Sequence, residues 1–391
     1  MRNHTISITK GIAIILMVAA HANCPTGLTR FVYMFHMPLF FITAGYFFNI
    51  SYLNNEKAFI VKRFKGLYLP FLKWSLFFLV IHNLMFAIGI LNESYGNSAG
   101  GVTHPYTWYQ FQQRVWNCVF SMSGYDEFLS GTFWFFRALL LSSIAFLVLF
   151  KLLRKVKYLT NDIEIAWSIC GIALFIAGWK TLSGLSISNV AQGGYRDIMG
   201  LFFFGIGFLY AHYQSKIREN WLLTIAYFII LYIGVGRYHS SMAFNATFEQ
   251  FIKLPVPAVL GFLMVHHVSG WINKNVRYVR DALIYVGEHT IYIFAFHIVA
   301  FKVISLIKIL WYDLDFAQIG CHMAIHANAD KDYFWIVYTI GGVTIPLFTR
   351  WAYHRSKPLF IPAIKWMGGS IKQSYKDIKE MANACKPTDD V

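Results

Sequence analysis

Lys10 and His21 stand eleven residues apart at the two ends of an otherwise apolar stretch, Lys10-Gly11-Ile12-Ala13-Ile14-Ile15-Leu16-Met17-Val18-Ala19-Ala20-His21. On a helix that interval is three turns plus about 20°, so both side chains share one stripe, roughly 16 Å apart along the axis. A histidine titrating near neutrality suits general-base work. A cation on the same stripe could hold the anionic or strongly polar part of a cytosolic cofactor. Ionisable side chains inside a membrane span are costly and mark functional sites by default, so the pair suggests a polar track. The plainer alternative is that Lys10 snorkels to the headgroups while His21 bonds a neighbouring helix. Further ionisable residues lie in apolar runs: His36, Arg137, Glu288 and His297.

Those runs define the elements that must position them. The chain has 391 residues, 57% hydrophobic and only 14% charged, with a mean hydropathy of +0.48. A soluble domain carries about 25% charged residues. An all-α polytopic membrane protein is expected, with about ten transmembrane helices near 6–23, 31–49, 67–91, 132–150, 163–179, 197–213, 221–235, 255–271, 282–305 and 333–353. If the N-terminus is inside, the connections and tail on that side hold twenty-two Lys and Arg and the opposite side eight. This asymmetry predicts that both termini are cytoplasmic. It also accounts for the net charge of +15 without nucleic acid as a partner.

In that orientation Lys10 and Glu288 fall in the inner half of the membrane, where they could form a charge pair. His21, His36, Arg137 and His297 fall at similar depth in the outer half, from four different helices. His266 and His267 lie near the cytoplasmic end of the eighth span and read as structural. The outer segments 92–131 and 306–332 are rich in aromatic and hydrogen-bonding residues, which suit sugar faces or an interfacial belt. Five cysteines show no metal-type spacing, so neither a metal site nor a disulfide framework is expected. P-loop, GxGxxG, GxSxG and HExxH motifs are absent, which argues against soluble-type nucleotide and hydrolase folds. Ala20-His21-Ala22 has the form of a signal-peptide cleavage site, but the lysine within the hydrophobic region argues against cleavage.

Several elements together resemble the acyltransferase-3 family of integral membrane acyltransferases. Lys10 followed by His21 is similar to its [Arg/Lys]-x10-His first-span signature, with lysine in place of the commoner arginine. Phe35-His36-Met37-Pro38-Leu39-Phe40-Phe41-Ile42-Thr43-Ala44-Gly45-Tyr46 resembles the second-span element. Arg63-Phe64-Lys65-Gly66-Leu67-Tyr68-Leu69-Pro70 resembles the entry to the third span. Phe133-Trp134-Phe135-Phe136-Arg137-Ala138-Leu139 resembles the fourth element, and Gly287-Glu288-His289-Thr290-Ile291-Tyr292-Ile293-Phe294-Ala295-Phe296-His297 a late one. The pieces occur in the family's order over almost the whole chain.

The resemblance implies a transmembrane acyltransferase domain over 1–355 with a basic cytoplasmic tail over 356–391, in a bacterial cytoplasmic (inner) membrane. It implies transfer of an acyl group, usually acetyl, from cytosolic acyl-CoA to a hydroxyl of a carbohydrate or lipid-linked glycan, without a metal. His21 would be the catalytic base and Lys10 its companion. Lys62, Arg63 and Lys65 would meet the CoA diphosphate, and Lys10 and Glu288 would line the donor's path. Arg137, His297 or His36 would assist at the reacting centre. An acyl-histidine intermediate is an alternative route. The rival expectation is a transporter or flippase of a polar envelope precursor, which should show interrupted spans and an inverted repeat; the sequence has no such repeat.

Overall fold

The computed structural model describes residues 3–95, 104–185, 194–237, 240–326 and 332–356, and these residues are all-helical and loop, without strands. The expected tail beyond Ser356 lies outside the described residues. Helix α1 (His4–His21) begins where the Asn3 side chain accepts from the Ile6 N–H, and its last residue is His21. The expected second span is divided into α2 (Thr26–Tyr33) and α3 (His36–Tyr46). Pro38 explains the break, because its ring would collide with the carbonyl of Met34 in a continuous helix.

The third span begins earlier than expected. Helix α4 (Glu56–Arg63), a π-helical segment (Phe64–Tyr68) and α5 (Leu69–Ala87) follow one another without interruption. Pro70 would crowd the carbonyl of Gly66, and the wider π turn relieves that contact. The long connection that follows is not merely loop: it holds α6 (Trp108–Ser121), started by a reciprocal Thr107–Gln110 cap. The short α7 (Glu127–Ser130) is capped by Asp126 and leads into α8 (Trp134–Leu153).

Next come α9 (Asp162–Ser183), α10 (Tyr195–Tyr213), α11 (Trp221–Gly234), α12 (Phe248–Lys253) and α13 (Pro255–Asn275). The expected ninth span is also divided, at His289, into α14 (Arg277–Glu288) and α15 (Thr290–Tyr312). The polar run Glu288-His289-Thr290 falls at that division, so Glu288 is the last residue of the amphipathic α14, just before the apolar stretch Thr290–Tyr312. A last helix, α16, covers 334–356.

Helix α1 is central, packing on α3, α13, α14 and α15. Its crossing with α14 brings backbone against backbone. A Cβ on Gly287 would lie 1.8 Å from the Ser7 carbonyl oxygen, and one on Gly11 2.4 Å from that of Leu283. Helices α3 and α10 meet in the same way at Gly45 and Gly207. Small residues at such crossings are the usual means of close helix association in lipid. Six helical stretches among the described residues are long and apolar enough to cross a membrane. Helix α11 buries only Thr224, Leu231 and Gly234 and exposes a broad apolar face, of the kind that marks a membrane or interaction surface.

Candidate active site

Residues 10, 14, 17 and 21 form one stripe along α1, and two cavities lie against it. The first, about 390 Å³, is lined by His21, Met17, Tyr33, His36, Trp134 and Arg196 among others. The second, about 200 Å³, is lined by Lys10, Ile14, Thr43, Ala44, Leu67 and Thr290 among others. Phe294 lines both. The expected polar track is therefore two chambers: Ile14 and Met17 make the middle of the stripe apolar, and the Phe294 ring stands between the chambers.

His21 is half-buried at the wall of the larger chamber. Its Nδ1 lies 3.0 Å from Nε2 of the fully buried His297. The centroids are 5.2 Å apart with 20° between the ring planes, the separation of two imidazoles meeting edge to edge in line with the N···N contact. The other nitrogen of His297, Nδ1, lies 3.0 Å from the Phe294 carbonyl and 3.1 Å from that of Ile293. A carbonyl only accepts, so Nδ1 of His297 carries its proton and Nε2 has the lone pair. His21 must then donate through Nδ1, which leaves its Nε2 as a base. This is the orientation logic of a nucleophile–base–orienter relay.

His36 is assigned likewise. Its Nδ1 donates to the Val32 carbonyl at 2.9 Å, within the turn opened by the α2–α3 break, and Tyr33 stacks on its ring. Its Nε2 is left as an acceptor. A fourth histidine, His322, reaches the chamber from the loop between α15 and α16. Its ring lies close to the His21 backbone carbonyl, one of the acceptors a helix C-terminus leaves unsatisfied. Burial, and then the charge of Lys302, push the His322 imidazole down to about 4. Lys302 holds that loop in place: its ammonium donates to the carbonyls of Ile319 at 2.7 Å and Gly320 at 3.3 Å, and to that of Cys321.

Arg137 points elsewhere. Its guanidinium is 3.5 Å from Asp197, and the arginine that lines the chamber is Arg196, which sequence reasoning passed over. Arg196 lies 4.1 Å over the Trp134 ring and donates through Nε to the Met242 carbonyl at 2.9 Å. Thr132 also lines the chamber, and its buried hydroxyl has no hydrogen-bond partner among the described residues.

Around the smaller chamber, Lys10, Thr43 and Thr290 bring polar groups to an otherwise apolar wall. Arg63 donates to the carbonyl of Ala44, a lining residue, at 3.5 Å and packs over Phe59 and Phe204. Lys62 and Lys65 are exposed, and Lys62 donates to the Tyr52 hydroxyl at 2.9 Å. Glu288 lies outside both chambers, exposed at the end of α14, which places it beside the Gly287 contact with α1. His266 bonds Glu219 at 2.7 Å and Tyr210 at 2.9 Å, and His267 bonds Thr224 at 2.6 Å. Among the described residues, no group of three or more His, Cys, Asp or Glu is arranged to hold a metal ion.

A family model described as an acyltransferase domain matches residues 3–351 of the chain. No curated protein and no solved structure matches it.

Proposed function

The chain belongs to the acyltransferase-3 family of membrane acyltransferases, and from that premise we propose that it transfers an acyl group, acetyl in the simplest case, from cytosolic acyl-CoA to a hydroxyl of a cell-envelope glycan or related acceptor. The observation that carries the reading is the His297-oriented His21, with a basic nitrogen in a chamber large enough for a small ligand; ligand pockets run about 300–1,000 Å³.

In this reading the chain crosses a bacterial cytoplasmic membrane about ten times. The crossings are the six long apolar stretches together with α2–α3, α10, α11 and α16. Both termini are cytoplasmic, with 1–355 as the transmembrane domain and 356–391 as a basic tail. The Lys10 chamber then faces the cytosol and the His21 chamber the outside. The CoA diphosphate meets Lys62, Arg63 and Lys65, and the pantetheine arm passes Lys10 to bring the thioester to His21. Nε2 of His21 takes the acceptor's hydroxyl proton as the oxygen attacks the thioester carbonyl. The oxyanion that forms is stabilised by hydrogen-bond donors around the reacting centre. Collapse breaks the C–S bond, and the thiolate leaves with the proton from His21. The products are the O-acyl ester and free CoA.

The transporter reading draws support from the interrupted helices at His289 and before His36, since broken spans occur at transporter sites. The two readings separate in one experiment: purified wild type, His21→Ala, Lys10→Ala and Lys10→Arg are tested for acyl-CoA binding and acyl transfer. His21→Ala should bind acyl-CoA normally and lose transfer. Lys10→Ala should lose both, while Lys10→Arg keeps both. Near-normal transfer by His21→Ala removes it as the base.

A further inference from the structure

Arg196 is a half-buried cation that, among the described residues, forms no ion pair of its own and shares the field of one carboxylate with a second arginine. Its Nε is taken by the Met242 carbonyl, and its guanidinium plane rests on Trp134, with the Phe244 ring 5.9 Å away. Among the described residues no carboxylate pairs with it. Asp197, its neighbour in sequence, is in the ion pair with Arg137, so two guanidinium groups share one carboxylate here. Glu127, on the same chamber wall, is 4.0 Å from Arg114. A partly buried guanidinium whose charge is only partly compensated favours an anionic ligand. Stacking on an indole fixes its plane, and a planar fork whose terminal nitrogens have no acceptor among the described residues matches a carboxylate or phosphate in two parallel hydrogen bonds. Thr132, two residues before Trp134, also lines the chamber, and its buried hydroxyl has no hydrogen-bond partner among the described residues.

We propose that the His21 chamber contains an anion subsite built on Arg196 and Thr132, so that the acceptor is an anionic glycoside carrying a carboxylate or a phosphate close to the hydroxyl that is acylated. The proposal rests on the chamber being the acceptor site. Trp134 offers its apolar ring edge to the sugar, Arg196 takes the charge, and His21 meets the hydroxyl. The neutral counterpart of such an acceptor forfeits the charge-assisted pair and leaves the arginine desolvated and unpaired.

The test reads occupancy of the chamber without turnover. Purified protein is treated with diethyl pyrocarbonate, and modification of His21 is followed by peptide mass spectrometry. The protectants are methyl glucuronide, glucose 1-phosphate and neutral methyl glucoside. One or both anionic probes should protect His21 at concentrations at least about tenfold lower than the neutral one, the size of a single charge-assisted contact. The better of the two identifies carboxylate or phosphate. Arg196→Gln should abolish the preference, and Arg196→Lys, which keeps charge but not the fork, should retain part of it. Equal protection by all three probes, protection by none, or a preference that survives Arg196→Gln overturns the subsite. If Arg196→Gln does not stay monodisperse, the wild-type comparison and Arg196→Lys decide. A loss of turnover in Arg196→Gln with its anion preference intact assigns the arginine to the oxyanion and also overturns the subsite. Acyl-CoA binding and His21-dependent transfer are measured on the same preparations; their failure beside a persistent anion preference overturns the acyl-transfer reading and leaves the subsite standing.

Discussion

Nδ1 of His21 and Nε2 of His297 are 3.0 Å apart, and the partners of the second ring decide which nitrogen of the first is the base. His297 is thus a positioning residue. His297→Phe keeps a flat ring and removes the acceptor for the His21 proton. It should lower kcat by about 10²–10³-fold, within the range of a misplaced general base, with acyl-CoA binding unchanged. Turnover within twofold of wild type would remove the relay.

Phe294 separates the chambers and also packs on Phe133, Phe135 and Phe136. Truncation to alanine would cost about 3–5 kcal/mol of packing and confuse the result, so leucine is the better probe. Phe294→Leu should let longer acyl thioesters react relative to acetyl, whereas Phe294→Trp should depress transfer at least about tenfold, the effect of a misplaced reacting group. An unchanged acyl-length profile in both variants, from a competition assay, would show that the ring does not lie on the donor's path.

Lys302 binds three successive carbonyls of the loop that carries His322. Each buried acceptor left without a donor costs about 1–3 kcal/mol. Lys302→Met should lower the melting temperature and raise hydrogen exchange at residues 316–326, with transfer falling in parallel. Unchanged exchange in that loop would show that the ammonium does not order it.

His322 titrates at about 4 in the folded site against an ordinary value of 6.5. Between those values the unfolded chain takes up a proton that the folded site refuses, so stability should fall as pH drops from about 6.5 toward 4. His322→Asn should flatten that part of the melting-temperature profile. A profile identical to wild type would show that another group controls it.

The stripe on α1 was legible because helical periodicity is local: spacing alone put Lys10 and His21 on one face. The break before His36 was also written in the chain, in Pro38. What escaped was set by neighbours distant in sequence. Arg137 and Arg196 look equivalent as lone arginines near apolar runs, and only the packing of α8 on α10 gives Asp197 to the first and the chamber to the second. His322 lies in a connecting segment with no period to read. Lys302 reads as an anomalous charge in a span until the carbonyls it gathers are seen.

An enzyme that draws on a cytosolic thioester and works on the far side of a membrane risks becoming a leak. In the proposed orientation a continuous polar passage from Lys10 to His21 would admit protons and small ions, each elementary charge running down about 2.3 kcal/mol per 100 mV of membrane potential. Phe294 closes that conduit with a ring bedded among other rings. An uncharged thioester arm can slip past an aromatic septum at small cost, whereas a hydrated ion must shed its water there. The same side chain that divides the chambers can therefore keep the membrane energised while acyl groups cross it.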